Sequence, residues 1–269
     1  MKTLSIKYSS NGIPFIHFGN GLHKLAILGG GPGDDLPSDQ KRIERLINTY
    51  QLFTKHYDVY ILGRKSCQQS GYSTRDMALD FGNMINDEIG GPIDIIGYSY
   101  GGLISQYLAS YYPELVHCLI IAASAYKVSQ AGKDLDSKIA KFESQGKWGE
   151  AYATGASVYY QGLNKFIYKL LVRLKDGMNR NRPAKSPSDY LIEAEAEVNH
   201  DSINELPRIK ARTLVIAGDK DYFFPIDLLR ETAAKIPEAE LSLYEGLGHD
   251  VCFRKQFNED ILTFLTRAP

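Results

Sequence analysis

The stretch "IDIIGYSYGG", residues 93–102, decides the fold of this chain. It begins as an apolar run and reaches a serine, Ser99, that has a glycine two residues away on either side, Gly97 and Gly101. The sequence continues into "LISQYLASYYP", which has the pattern of an amphipathic helix. A serine in a sharp strand-to-helix turn needs small neighbours, because bulky ones would keep the strand and the helix apart. We therefore expect Ser99 at such a turn, with its Oγ exposed at the helix N-terminus.

Short apolar runs alternate with helix-length amphipathic segments along most of the chain. An opening hairpin, joined through Asn11 and Gly12, is followed by runs that lack the alternation of half-exposed strands and favour parallel strands covered on both faces. The pattern breaks once, where only helices are predicted. The alternation predicts a doubly wound α/β core over residues 1–124 and 209–269, and the break predicts a helical insertion over 125–208. The predicted strands are "LSIKYS", "PFIHFG", "KLAILGG", "DVYILG", "IDIIGYS", "HCLIIAAS", "RTLVIAGD" and "AELSLYEG".

Composition and charge limit the possible functions. Of the 269 residues, 43% are hydrophobic and 23% are charged, which is ordinary for a globular protein. The formal net charge is -1, so no overall positive field attracts nucleic acid or an anionic membrane. The three cysteines are far apart and indicate neither a disulfide framework nor a zinc site. We expect a cytoplasmic protein, because the N-terminus lacks the apolar core of a signal peptide and no apolar run approaches the roughly 20 residues that span a bilayer.

The segment Gly97-Tyr98-Ser99-Tyr100-Gly101 resembles the nucleophile elbow, G-x-S-x-G, of the α/β-hydrolase superfamily. The resemblance implies a doubly wound, mostly parallel eight-stranded sheet, with the inserted helices forming a lid over the serine. It also implies that Ser99 is a catalytic nucleophile. The N–H of Tyr100, at the start of the helix, would then help to stabilise an oxyanion.

In this superfamily an acid and a histidine follow the serine in that order. The segment "RTLVIAGDKDYFFP" offers two aspartates after Gly218, and the resemblance selects Asp221, because family members commonly place the acid three residues after this glycine. Asp219 is the weaker candidate and is interpreted as a cap of the turn. His249, in the loop after the last predicted strand, is the candidate base. Imidazole accepts the serine proton when a carboxylate holds its other ring nitrogen.

The loop "ILGGGPGDDLP" resembles the H-G-x-P-G segment of the superfamily, with Gly31 at the position of the second oxyanion donor. One departure matters: Gly29 replaces the usual histidine, so the hydrogen bonds that fix this loop must come from elsewhere. We also expect three residues to contact the substrate, namely Tyr98 beside the nucleophile, Gly30 in this loop and Trp148 in the insertion. The side chain of the second tyrosine of the elbow is expected there too.

These roles predict a serine hydrolase that cleaves a small carboxylic ester or lactone through an acyl-enzyme on Ser99. The chemistry requires no metal and no organic cofactor. We expect a small-molecule substrate, no nucleic-acid or membrane partner, and a monomer or homodimer. The alternatives within the fold are a proline iminopeptidase-like aminopeptidase, a C–C bond hydrolase and an acyltransferase. A non-catalytic ligand-binding homologue is the alternative from another class.

For the aminopeptidase, the acidic residues of "EAEAE" are candidate ligands of a substrate amine. These are Glu193, Glu195 and Glu197, which recur at i, i+2 and i+4. That spacing cannot place all three on one face of a helix. A solvated helix surface is therefore the favoured interpretation of the three glutamates.

Overall fold

An eight-stranded β-sheet forms the centre of the structure, a computed structural model that describes residues 5–33, 36–159, 162–176 and 186–267. The strands are β1 (Lys7–Tyr8), β2 (Pro14–Gly19), β3 (His23–Leu28), β4 (Tyr57–Leu62), β5 (Ile93–Tyr98), β6 (Val116–Ala122), β7 (Arg212–Gly218) and β8 (Glu240–Tyr244). Their order across the sheet is β1-β2-β4-β3-β5-β6-β7-β8. β2 pairs antiparallel with β1 and β4, and all other neighbours are parallel. This confirms the predicted doubly wound, mostly parallel eight-stranded sheet.

α-Helices cover both faces of the sheet. Within the described residues they are α1 (Gln40–Tyr50), α2 (Thr74–Met84), α3 (Tyr100–Tyr111), α4 (Gln130–Ser144), α5 (Trp148–Tyr159), α6 (Gly162–Asp176), α7 (Pro187–Val198), α8 (Ile226–Lys235) and α9 (Lys255–Thr266). α1 and α9 pack on one face, and α2, α3 and α8 pack on the other. Ile95 and Ile96 of β5 are buried in opposite cores, because successive side chains of a strand point to opposite faces. Both faces of the central strands are therefore apolar, which is the pattern that predicted them.

The loops at the carboxyl ends of the parallel strands carry the predicted site residues. β3 leads into the glycine loop at Gly29, β5 leads to Ser99, β7 to Asp221 and β8 to His249. Since these strands run in the same direction, all four loops lie at one edge of the sheet. The topology alone gathers residues that are far apart in the sequence.

Helices α4 to α7 lie in the chain between β6 and β7, at the position of the predicted helical insertion. α7 also contacts the core directly. The Asp189 carboxylate accepts hydrogen bonds from the backbone N–H groups of Cys67 at 2.9 Å and Gln68 at 2.8 Å, in the loop after β4. These bonds fix the insertion at the edge of the sheet where the site residues lie. No helix in the described ranges is long and apolar enough to cross a membrane.

Candidate active site

Ser99 occupies the turn between β5 and α3 in a strained backbone conformation. Its φ of 49° and ψ of -116° lie outside the regions that non-glycine residues favour. A Cβ on Gly97 would lie 2.6 Å from the carbonyl oxygen of Gly101, and a Cβ on Gly101 would lie 2.2 Å from that of Leu28. A larger residue at either position would collide with backbone. The two glycines therefore let α3 approach the strands closely, and the turn leaves Ser99 at the helix N-terminus.

Ser99, His249 and Asp221 form a hydrogen-bonded chain across three loops. Ser99 Oγ lies 3.0 Å from His249 Nε2, and His249 Nδ1 lies 2.8 Å from Asp221 Oδ2. Both His249 and Asp221 are buried. When the Nδ1–H donates to the carboxylate, Nε2 is free to accept the serine proton. The structure thus brings together the three residues that the sequence analysis selected as nucleophile, base and acid.

The two aspartates after β7 have different surroundings. Oδ1 of Asp221 accepts hydrogen bonds from the backbone N–H groups of Phe223 at 2.9 Å and Phe224 at 3.1 Å, so both carboxylate oxygens are bonded. Asp219 Oδ1 accepts a bond of 2.7 Å from the backbone N–H of Gly246, in the turn after β8. Asp219 therefore caps a turn, as the sequence interpretation expected, while Asp221 orients the histidine.

A cavity of about 820 Å³ opens onto Ser99 and His249. Aromatic side chains that follow β7 and end β5 give it an apolar part, formed by Phe223, Phe224 and Tyr98. The Tyr98 hydroxyl donates a hydrogen bond to Oδ1 of Asn258 in α9, which fixes the ring in the wall. Gly30 borders the same cavity. Two of the predicted substrate contacts, Tyr98 and Gly30, therefore line the space beside the nucleophile.

Trp148 lies elsewhere. It is absent from the described residues that line the cavity and packs inside the insertion, edge-on against Tyr190, with ring centroids 5.4 Å apart. The Tyr100 side chain also differs from the expectation. It is fully buried, and its hydroxyl donates to the carbonyl oxygen of Glu193 at 3.0 Å. An aromatic residue near the site in sequence can thus serve the packing between insertion and core instead of the substrate.

The two residues predicted to supply oxyanion donors, Tyr100 and Gly31, both lie at the candidate site. Tyr100 is the first residue of α3, so its backbone N–H has no partner within the helix and adds to the positive potential of the helix N-terminus. Gly31 borders the cavity that contains Ser99. The arrangement is suited to holding a negatively charged oxygen formed at a carbonyl carbon that Ser99 attacks.

Arg64 and Glu193 support the glycine loop in place of the missing histidine. The Arg64 guanidinium donates to the carbonyl oxygens of Gly29 at 2.9 Å and Gly31 at 2.6 Å. Glu193 Oε2 accepts from the backbone N–H of Gly33 at 2.6 Å and lies 3.1 Å from Arg64 Nε. Both side chains are buried. The sequence analysis did not predict this pairing, and the available signal was the arginine two residues after the end of β4.

The structure corrects the interpretation of the three glutamates of α7 as a solvated surface. Glu193 is fully buried and Glu197 is 3% exposed, whereas Glu195 is exposed. Residues at i and i+4 share a helix face, and α7 turns this face toward the core. The interpretation was wrong because it treated the three glutamates as one set, whereas only Glu195 faces solvent.

A second pair of carboxyl groups lines the cavity, formed by Asp136 of α4 and Glu197 of α7. The two carboxyl groups are close enough for each to affect the pKa of the other. Burial raises the pKa of Asp136 to about 6, although Glu197 and His249 act in the opposite direction. Burial also raises the pKa of Glu197 well above its usual range, and the neighbouring Asp136 carboxyl raises it further. Because two adjacent carboxylates repel each other, their proximity favours the protonated form of the pair.

Comparison with known proteins agrees with this architecture. A family profile described as alpha/beta hydrolase fold matches residues 51–256. The proline iminopeptidase PfmaB of Pestalotiopsis fici is 26% identical over 259 residues, 86% of this chain and 86% of that protein. MGS-M2, an alpha/beta hydrolase enzyme from a Medee basin deep-sea metagenome library, superposes with a TM-score of 0.78 at 21% identity, covering 98% of both chains. The enol-lactonase from Burkholderia xenovorans superposes with a TM-score of 0.77 at 16% identity, covering 97% of this chain and 100% of that one. Because the family match spans most of the chain and includes the serine turn, this protein belongs to the alpha/beta hydrolase fold family.

Proposed function

We propose that the protein is a serine hydrolase that cleaves a small carboxylic ester or lactone. The observation that carries the proposal is the hydrogen-bonded chain from Ser99 through His249 to Asp221, which opens onto the cavity. The apolar part of the cavity, at Phe223 and Phe224, is suited to an acyl or alcohol group of modest size. The cytoplasmic location and the monomeric or homodimeric state stay predictions.

The reaction proceeds in two half-reactions at Ser99. As Ser99 Oγ attacks the substrate carbonyl, His249 Nε2 takes the hydroxyl proton, and the Asp221 carboxylate stabilises the imidazolium that forms. The tetrahedral intermediate collapses when the C–O bond to the leaving alcohol breaks and His249 returns the proton to that oxygen. Water, deprotonated by His249, then attacks the acyl-enzyme and releases the carboxylic acid and free Ser99.

The backbone N–H groups of Gly31 and Tyr100 hold the oxyanion of each tetrahedral intermediate. Such donors are effective when they need no rearrangement as the charge develops. Arg64 bonds to the carbonyl oxygen of Gly31, and Glu193 holds both Arg64 and the N–H of Gly33. This buried network supports a loop that is preorganised for the reaction.

We further propose that residues 125–208 form a lid over a core made of residues 1–124 and 209–269. Asp136 and Glu197 belong to the inserted helices and line the same cavity as Ser99, which supports this division. A lid in this place limits the access of water and strengthens the electrostatic interactions beneath it.

A turnover panel on the purified protein tests the proposal. The substrates are p-nitrophenyl esters of increasing acyl length, several lactones, and proline and alanine p-nitroanilides, the last because the relative PfmaB is named a proline iminopeptidase. We expect ester or lactone turnover that falls by at least about 10³-fold in Ser99→Ala. Ser110→Ala, at the far end of α3 and buried, is the matched control and keeps its activity.

Covalent labelling by a fluorophosphonate is the second readout. We expect wild-type protein to be labelled at Ser99 and Ser99→Ala to remain unlabelled. A folded wild-type protein that neither turns over any substrate of the panel nor reacts with the fluorophosphonate would overturn the proposal. If the enzyme turns over the anilides in preference to the esters, the bond that it cleaves is an amide and not an ester.

A further inference from the structure

The start of α9 forms a polar end of the cavity that the proposed reaction does not use. Arg254, Lys255 and Asn258 line the cavity together with Ser99 and Tyr98. Arg254 is the N-cap of α9, and Asn258 follows one helical turn later. Because side chains of a helix lean toward its N-terminus, the side chain of Asn258 leans toward Arg254. The polar groups of this turn are therefore gathered at one end of the cavity.

Asn258 is a buried residue with an unused donor. It is 6% exposed, and its Oδ1 accepts the hydrogen bond from the Tyr98 hydroxyl. Its Nδ2 donates to no acceptor in the described part of the chain, and it is not one of the fully buried polar atoms that lack a partner. Because Asn258 lines the cavity, Nδ2 opens onto this space. A nearly buried amide is costly to leave unpaired, so its N–H groups are placed for an acceptor of a ligand.

The start of α9 brings positive charge to this donor. The Arg254 guanidinium makes no hydrogen bond or ion pair within the described residues, whereas Lys255 Nζ lies 2.9 Å from Glu259 Oε1. α9 has no side-chain cap at its N-terminus, so its first backbone N–H groups add positive potential. A negatively charged acceptor is therefore favoured here over a neutral one, because hydrogen bonds to ionised groups are stronger.

Acidic residues do not cancel this charge. From His249 onward, the described residues that line the cavity include no acid. The acids that do line it, Asp136 and Glu197, belong to the inserted helices and not to α9. Burial raises the pKa of both, which favours their neutral forms and weakens their repulsion of an anion. The cavity thus has a cationic end at α9.

We propose that Asn258 and Arg254 bind a carboxylate group of the substrate. The inference rests on the proposed hydrolase function and gives it a substrate class: an ester or lactone that carries a free carboxylate. One oxygen of the carboxylate accepts a hydrogen bond from Asn258 Nδ2, and the group forms an ion pair with the Arg254 guanidinium. The Tyr98 hydroxyl holds Oδ1 of Asn258 and so fixes the direction of Nδ2.

Matched esters with and without the carboxylate test the proposal on each side of the ester bond. The first pair is mono-p-nitrophenyl adipate with p-nitrophenyl 6-methylheptanoate, and the second is 4-acetoxybutanoate with 4-methylpentyl acetate. In each pair an isopropyl group replaces a carboxylate that has the same number of heavy atoms. The measured quantity is the ratio of kcat/KM for the charged ester to that for its neutral partner, after subtraction of the rate with Ser99→Ala. Effects of a variant on the nucleophile itself cancel in this ratio.

We expect Asn258→Asp to lower this ratio by about 10-fold to 100-fold for at least one pair, because an oxygen replaces the donor while the other oxygen still accepts from Tyr98. Arg254→Gln, at an exposed position that tolerates substitution, is expected to lower it by about 5-fold. Arg267→Gln removes the same charge at the other end of α9 and leaves the ratio unchanged. An unchanged ratio in both Asn258→Asp and Arg254→Gln for both pairs would overturn the inference, and so would an equal loss in Arg267→Gln.

Binding without turnover separates this inference from the proposed function. By isothermal titration calorimetry, we expect monomethyl adipate to bind the Ser99→Ala protein, and Asn258→Asp added to it to raise the Kd by at least about 10-fold. Dimethyl adipate lacks the charge and is the control ligand, with a Kd that Asn258→Asp leaves unchanged. Equal binding of monomethyl adipate to the two proteins, or no binding, would contradict the carboxylate site even if the enzyme hydrolyses other esters. Absence of Ser99-dependent hydrolysis, with Asn258-dependent binding retained, would refute the proposed function and keep the site.

Discussion

Two buried carboxyl groups near the cavity, those of Asp221 and Glu197, have different surroundings. In the core, Asp221 accepts hydrogen bonds at both oxygens, from His249 and from two backbone N–H groups. In the inserted helices, Glu197 lies near the Asp136 carboxyl, and its Oε2 atom accepts no hydrogen bond from a donor among the described residues. Asp221 is 4% exposed and Glu197 is 3% exposed, so burial does not explain the difference.

The difference separates a carboxylate that positions a histidine, Asp221, from a carboxyl group, Glu197, that is destabilised by burial. A carboxylate with every acceptor satisfied is fixed in place, which is what a histidine needs from its orienting partner. A buried acid without a hydrogen-bond donor costs folding free energy. Three substitutions, taken from the largest expected effect to the smallest, test whether this contrast governs function.

Removing the charge of Asp221, whose two oxygens both accept hydrogen bonds, has the largest expected effect. In Asp221→Asn the amide no longer holds His249 in the tautomer that accepts the serine proton, so we expect kcat/KM for the best ester to fall by about 10⁴-fold. Asp219→Asn, which alters only the turn cap at Gly246, is the matched control and is expected to lose less than about 10-fold. Steady-state kinetics on the two purified variants give the comparison. A larger loss in Asp219→Asn would reassign the acid.

Glu193 tests the contrast further. It lies in the inserted helices but, like Asp221, has a hydrogen-bond or ion-pair partner at both carboxylate oxygens. In Glu193→Gln the Arg64 charge loses its buried partner, and the glycine loop loses its support at Gly33. We expect the free energy of unfolding to fall by about 3 kcal/mol. We also expect kcat to fall by about 10-fold to 100-fold, with a smaller change in KM, because the oxyanion donors are less well placed.

Denaturant unfolding and ester kinetics on the same samples measure both effects. Glu195→Gln is the control, since it removes a charge from the exposed face of the same helix. A folded Glu193→Gln enzyme with wild-type kcat would show that the loop does not depend on this network.

The Asp136–Glu197 pair predicts a smaller effect on Tm, which depends on pH. The folded state raises the pKa of Asp136 from 3.8 to about 6, so the folded protein keeps a proton that the unfolded chain releases. The corresponding stability is fully present below about pH 4 and is lost as the pH rises through 6. The Asp136→Asn variant does not lose this stability, because the asparagine side chain does not titrate. We therefore expect the Tm of the variant, relative to wild type, to be higher at pH 8 than at pH 4 by about 3 °C.

Thermal unfolding across this pH range checks the expectation. Asp134→Asn removes an exposed carboxyl from the same helix and controls for the change in net charge. A Tm difference that is constant from pH 4 to pH 8 would show that the folded structure does not perturb Asp136.

Much of the fold and of the candidate site was predictable from local patterns. Strands buried on both faces are mostly apolar, and the turn at Ser99 requires glycines at fixed offsets. Short segments of the sequence are therefore enough to predict the sheet and the nucleophile. Asp221 and His249 followed from the resemblance and from their places after the last two strands. Trp148 failed as a substrate contact, because periodicity does not tell whether an aromatic residue faces the cavity or another helix.

The amino-acid sequence by itself determined the parallel sheet, the strained serine turn and the order of Ser99, Asp221 and His249, because each depends on residues within a few positions of one another or on the direction of the strands. Only the tertiary structure decided how the insertion meets the core. The Glu193 bond to Gly33 spans 160 residues, and the Asp136–Glu197 pair joins two separate inserted helices. Such contacts depend on the angle and rotation at which a helix packs, and i+4 spacing fixes which residues share a face without fixing where that face points.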